Sequence, residues 1–202
     1  MTRATPYNRD KALDAAMSLF WEKGFHATSL KDLEAGLKMK PGSIYAAFSS
    51  KENLYLLALE RYFEKSRLGH RAQMARAASP LAGLAAHFRT IAALSPNDMA
   101  RQACMLTKSL VDTQTTEPAI AEKTRSYLAA MQQEFAAGFA RAQKMGELPD
   151  SANTNRLARR FQANLAALRF ELHLGTDALE TAELAEDMAR EIENLRVCGA
   201  SE

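Results

Sequence analysis

Across 202 residues the chain carries 38 Ala and 25 Leu but only six Val and Ile together, and because Ala and Leu favour helices while strands draw on β-branched and aromatic residues, an all-α fold is expected over a sheet-based one. With 47% hydrophobic and 25% charged residues the composition is that of an ordinary globular protein, which excludes wholesale disorder. The net charge of +2 hides an asymmetry: residues 1–78 hold thirteen Lys and Arg against eight Asp and Glu, a balance of +5, while residues 79–202 hold thirteen against sixteen, a balance of −3.

No window approaches eighteen consecutive apolar residues, so no transmembrane helix and no membrane partner are expected. The stretch from Met1 to Lys11 is polar, unlike a secretory signal. Cys104 and Cys198 stand 94 positions apart with no partner at metal-ligand spacing, which makes a reduced, cytoplasmic protein the expectation.

A first helix is predicted from Asn8 to Lys23, with Leu13, Ala16, Met17 and Phe20 as its apolar stripe and Gly24 at its C-terminal cap. Ser29 reads as the N-cap of a short second helix, with Asp32 three residues on, close to a capping box. A third short helix covers about 40–48, with Pro41 and Gly42 in its first turn. Ser50 caps a long fourth helix running to about residue 77. Beyond Pro80, helices are predicted at 81–94, 98–114, 118–145, 153–174 and 177–197. Nine of the fifteen aromatic residues lie within 1–63, and Trp21 is expected to pack on the fourth helix.

Two short helices buttressed by a longer first one make a helix-turn-helix. Its third helix must be slim to enter the major groove, while the second crosses the phosphate backbone. Lys38, Lys40, Ser43, Ala46 and Ala47 fit a groove-facing surface, with Leu33, Ile44 and Phe48 turned inward. Thr28, Ser29 and Lys31 stand at a helix N-terminus that can meet phosphate, and Lys51 is placed to reach the same strand. Taken singly, Lys38 and Lys40 are also compatible with solvated surface charges, and Tyr45 with a core aromatic.

The runs Thr28-Ser29-Leu30-Lys31-Asp32-Leu33, Lys40-Pro41-Gly42-Ser43-Ile44-Tyr45-Ala46-Ala47-Phe48 and Ser50-Lys51-Glu52-Asn53-Leu54 together resemble the DNA-binding domain of the tetracycline-repressor (TetR) family. The resemblance covers about residues 8–55 and extends more loosely to Ala103-Cys104-Met105-Leu106 and Gly146-Glu147-Leu148. It implies phosphate contacts from Thr28, Ser29, Tyr45 and Lys51. Lys40, Pro41, Gly42, Ser43 and Ala46 then lie at or near the groove-facing surface. Two positions depart from the family pattern: Lys38 stands where the turn usually has Gly, and Glu34 where the second helix usually has Ala. A non-Gly residue at positive φ is strained, which leaves open a redrawn turn.

The expected architecture is thus an N-terminal three-helix DNA-binding domain over residues 1–50, with its helix-turn-helix at about 29–48. A helical-bundle domain for ligand binding and dimerisation follows over 51–202, with helix 51–77 as connector. A homodimer reading a palindromic operator in double-stranded DNA is expected, because one helix-turn-helix makes few base contacts; half-sites then lie about 34–36 Å, or multiples of that, apart. Helices 153–174 and 177–197 are the expected dimer surface. A small-molecule effector is expected among the middle helices, against His87, Phe88, Cys104, Met105, Phe135, Phe139, Arg169, Phe170 and His173. Arg169 and His173, four apart on one face, form the polar pair that suits an acidic ligand. The four histidines are scattered, and neither a phosphate loop nor a nucleophile elbow occurs, so no metal, cofactor or catalytic site is expected. Ligand-responsive transcriptional regulation, most simply repression, is the function these features suggest. The alternatives are a helical sensor or interaction protein that has lost DNA binding and, with less support, a helical-bundle enzyme.

Overall fold

The computed structural model describes residues 8–95 and 98–197, so Pro6, Pro96 and Cys198 lie outside the described residues. Among these residues it contains α-helices and one short 3-10 turn, with no strand. The helices are α1 (Arg9–Lys23), α2 (Leu30–Leu37), α3 (Pro41–Phe48), α4 (Lys51–Arg76), α5 (Pro80–Ala92), α6 (Met105–Thr113), α7 (Pro118–Lys144), α8 (Thr154–Leu174) and α9 (Ala178–Glu193).

Local chemistry sets most boundaries. Asn8 caps α1 by accepting from the Lys11 amide at 3.0 Å, and α1 stops at Gly24, whose φ of 83° suits a residue without Cβ. Ser29 and Asp32 form a complete capping box at α2. Ser50, Ser79 and Asn153 each accept from the amide three residues on, starting α4, α5 and α8. Pro41, Pro80 and Pro118 occupy first turns, where the missing N–H costs nothing.

One helix expected from the sequence is broken. In place of a continuous 98–114 helix stand the 3-10 turn Met99–Arg101, an irregular link, and α6. Tertiary hydrogen bonds compete with the helix there: the Ala100 carbonyl accepts from Arg169 Nη1 at 2.7 Å, and the Ala103 carbonyl from Trp21 Nε1 at 2.8 Å. Such bonds satisfy carbonyls that a helix would otherwise use, so Ala-rich propensity is overridden. The last helix also ends at Glu193, short of residue 197.

α1 packs on α2 and α4, and α3 leans on both α2 and α4, forming the N-terminal head. α4 continues out of the head to meet α5, α6 and α7, while α5 lies between α4, α7, α8 and α9. The head and body share one apolar core. Tyr55 shows this continuity: its ring meets Phe20 and Phe25 edge-on at 4.7 and 5.1 Å, and its hydroxyl lies 2.6 Å from Ser109 Oγ on α6. Trp21 stacks edge-on against Tyr62 of α4 at 4.9 Å, as expected.

Charged clamps dress the same contacts. Arg61 of α4 grips Asp14 of α1 through two nitrogens, and its hydrogen bond holds the Asp14 carboxyl well below the usual carboxylate range. Arg89 of α5 bridges Glu186 and Glu193 of α9. Exposed pairs of this kind contribute little stability singly. The phrase Gly146-Glu147-Leu148 has a clear structural role. Gly146 turns the chain at φ 76°, and the buried Glu147 carboxylate accepts from the Leu81 amide at 2.9 Å, capping α5 from across the fold.

Candidate DNA-binding surface and body cavity

Leu33, Leu37, Ile44 and Phe48 are buried, which seats α2 and α3 against α1 and α4 and fixes what they show to solvent. On α3 the inward pair Ile44 and Phe48 stands four apart, so Gly42, Ser43, Tyr45 and Ala46 fall on the outer face, and all four are exposed. Tyr45 leaves 46% of its surface open, which settles the choice between core aromatic and surface group. Nothing lies within 4 Å of a Cβ built on Gly42, so a flat surface can approach the backbone there closely. Pro41 is half-buried at the first helical position, and Lys40 is exposed at the N-cap with no capping bond of its own.

The turn keeps its left-handed geometry despite the missing glycine. Lys38 sits at φ 54°, ψ 41°, and its amide and that of Met39 return to the Glu34 carbonyl. The turn is therefore not redrawn. Its lysine tolerates a conformation that costs an L residue roughly 1–2 kcal/mol, while the side chain is exposed beside Lys40.

Three expected phosphate donors prove to be engaged internally. Thr28 is fully buried and its hydroxyl donates to the Gly24 carbonyl at 2.6 Å, so it closes the α1–α2 turn rather than facing a strand. Ser29 spends its amide and hydroxyl on Asp32. Lys23, 2.5 Å from Asp32, and Ser29 hold that carboxyl well below the usual carboxylate range. Lys51 lays its ammonium over the Phe25 ring at 4.5 Å, and partial burial lowers its pKa. Lys31 is exposed and remains the open donor near the start of α2. Sequence reading missed Arg9, whose guanidinium lies 5.7 Å from the Phe48 ring centroid and adds a cation beside α3. Its basic character was visible, but its approach to α3 depends on how α1 packs.

A cavity of about 350 Å³, partly open to solvent, lies in the body between α4, α5, α7, α8 and the segment 100–107. Of the expected ligand residues, His87, Cys104, Phe135 and Arg169 line it. The others do not. Phe88, Met105 and Phe139 are sealed in the core, Phe88 and Phe139 against Phe161. Phe170 is 53% exposed and His173 is also exposed, both on the outside of α8, so the proposed Arg169–His173 pair does not face the cavity. A 100° step per residue explains the error: positions four apart share a face only approximately, and α8 turns Arg169 inward while its last turn meets solvent.

Tyr62, His70, Met131 and Leu165 belong to the cavity wall and were not foreseen. His70 and His87 lie 5.5 Å apart on different helices, and both meet the Phe135 ring edge-on. Burial drives the His87 pKa down to about 3 and lowers that of His70, so both imidazoles are neutral near neutral pH. The Nδ1 atoms of both are buried without a hydrogen-bond partner. The Tyr62 hydroxyl donates to Cys104 Sγ at 3.5 Å, and burial raises its pKa. Among the described residues no cluster suited to a metal ion occurs, and no helix is long and apolar enough to cross a membrane.

The family model described as bacterial regulatory proteins, tetR family, matches residues 12–58, which include α2, α3 and the turn between them. The HTH-type transcriptional repressor ComR of Escherichia coli (strain K12) is 31% identical over 157 residues, covering 77% of this chain and 75% of that protein. The chain belongs to the tetR family of bacterial regulatory proteins. Its architecture matches that of solved TetR-family regulators. A cysteine mutant of CifR, solved in complex with a 26-base-pair double-strand operator, superposes with a TM-score of 0.83 at 26% identity, over 93% of this chain and 98% of that one. A TetR-family regulator from Cytophaga hutchinsonii gives a TM-score of 0.84 at 16% identity, covering 98% and 100%. This TetR-family member is a DNA-binding transcriptional regulator, and the exposed face of α3 lies within the matched region.

Proposed function

We propose that this regulator is a repressor that binds a palindromic operator as a homodimer and releases it when a small molecule occupies the body cavity. The observation that carries the DNA-binding part is the outer face of α3, where Lys40, Gly42, Ser43, Tyr45 and Ala46 are exposed beside Lys31 and Lys38 while Ile44 and Phe48 anchor the helix. Small residues let the helix into the groove, and the lysines and Tyr45 supply donors to phosphate and base edges. Dimerisation is supported by an unpartnered apolar stretch at the end of α8 and the start of α9: Phe170, Leu174 and Leu179 are all exposed. α9 otherwise turns its apolar face to α5, so α8 contributes most of the proposed contact.

Coupling between cavity and head runs through the interrupted segment. Ala100 and Cys104 line the cavity. Ala103 between them accepts from Trp21 of the head, and Lys108 just beyond donates to the Trp21 and Glu22 carbonyls at the end of α1. A ligand that prefers one arrangement of this segment shifts the population of head positions by its difference in affinity. In this reading the protein acts on DNA in the cytoplasm and catalyses no reaction.

Fluorescence anisotropy with duplex DNA at increasing salt tests the reading. The expected result is a log-linear fall in affinity with salt, together with weaker binding on Lys40→Ala and Tyr45→Ala. No binding at low salt favours a helical sensor that has lost its DNA partner.

A further inference from the structure

The cavity's charge is one-sided. Among the described residues that line it there is no Asp or Glu, while Lys65 and Arg169 contribute cationic groups. Lys65 is paired with Asp14 of α1. Arg169 is half-buried with no carboxylate within ion-pair distance among the described residues; its guanidinium spends Nη1 on the Ala100 carbonyl at 2.7 Å. The remaining guanidinium N–H groups are left for another acceptor. A half-buried guanidinium without a counter-charge presents its free N–H groups in the fork geometry that a carboxylate fits bidentately.

The rest of the wall suits an apolar body. Met131, Leu165 and Phe135 face the space together with the imidazoles of His70 and His87, which burial keeps uncharged. The amides of Gln73 and Gln162 each give one N–H to the Gly83 and Leu128 carbonyls, and the N–H left on each is a neutral donor, weaker towards an acid group than the guanidinium. A volume of about 350 Å³ lies within the range of small-molecule sites.

We propose that the effector is a small amphipathic anion, an organic acid with an apolar or aromatic body, and that Arg169 binds its acid group. This rests on the effector reading above and narrows it to a charge class. An acid, a neutral amide and an amine of the same skeleton should separate by charge: the acid pairs with Arg169, the amide offers a weaker acceptor, and the amine is repelled.

The test uses 4-phenylbutyrate, 4-phenylbutanamide and 4-phenylbutylamine as probes on the full chain. Binding is measured by calorimetry and DNA affinity by anisotropy. The expected result is acid binding at least tenfold tighter than amide, no measurable amine binding, and weakened DNA affinity with the acid. Arg169→Gln should remove the acid-over-amide preference, and Arg169→Lys should retain part of it, with folding checked by circular dichroism. Equal binding of acid and amide, tighter binding of the amine, an unchanged preference in a folded Arg169→Gln variant, or no binding of any probe overturns the proposal. The outcomes also separate the two readings. Release of DNA by the amide or amine keeps the cavity as an effector site and removes the anion; acid binding that leaves DNA affinity unchanged keeps the anion site and removes its effector role.

Discussion

The head and the cavity solve opposite problems. Around α3 the polar groups point to water, and short-range devices place them: a capping box, a proline in the first turn, a left-handed Lys38 and two inward residues four apart. In the body the polar groups line a partly open cavity, and five separate stretches of chain must converge before any of them becomes a wall. The head can therefore be read from a contiguous segment, whereas the cavity exists only when long-range packing is complete. The difference also separates the consequences of substitution. Substitutions of exposed groups on α3 should affect DNA binding while leaving folding intact, and those of buried groups in the body should affect stability first.

The largest expected effect probes that boundary at Phe88. Placed in the core against Phe161 rather than in the cavity, Phe88→Ala should cost about 3–5 kcal/mol in chemical denaturation. A loss under 1 kcal/mol with altered ligand binding breaks the assignment. On the head, Tyr45→Ala and Lys40→Ala should each weaken operator binding by about 1–3 kcal/mol while leaving the thermal midpoint unchanged. Undiminished DNA affinity in both variants means that α3 is not the recognition surface.

His87 sharpens the contrast through pH. Its folded pKa of about 3 lies below the ordinary imidazole value of 6.5, so the unfolded chain binds a proton that the folded one refuses. Its contribution to stability is complete above pH 6.5 and is lost as pH falls towards 3, by at most about 1.4 kcal/mol per pH unit. His87→Leu should flatten that acid limb in a series of thermal midpoints, and an unchanged slope assigns it to other groups. The smallest effect belongs to the turn. Lys38→Gly should stabilise the fold by about 1 kcal/mol, since glycine accepts φ 54° without strain. The same change should weaken DNA binding if the exposed ammonium meets phosphate.

Legibility followed the range of the interactions. Asn8, Ser29, Ser50, Gly24 and the prolines act within one turn of their own position, so the sequence located α1 through α4 and the surface of α3 closely. Thr28 was misassigned because its hydroxyl is directed by the turn it closes, a three-dimensional fact invisible in a run of residue types. The 98–114 helix was misread for a related reason: Ala100 and Ala103 favour helix locally, but Arg169 and Trp21, 69 and 82 positions away, claim their carbonyls. Of nine expected cavity residues, His87, Cys104, Phe135 and Arg169 line the cavity. Helical spacing places a residue on a face without saying whether that face meets core, cavity or solvent, as Phe88, Phe139 and Phe170 show.

By itself, the sequence determined the helical class, the helices of the head and the resemblance to a regulatory family, because propensity, capping and the joint spacing of a short motif are local properties. Only the tertiary structure decided where the expected 98–114 helix breaks, that Lys38 is held in a glycine's conformation, and that Arg169 faces a cavity lined by no acid among the described residues. The break and the setting of Arg169 depend on groups far apart in sequence meeting under burial, where unmet hydrogen bonds cost more than any local preference supplies.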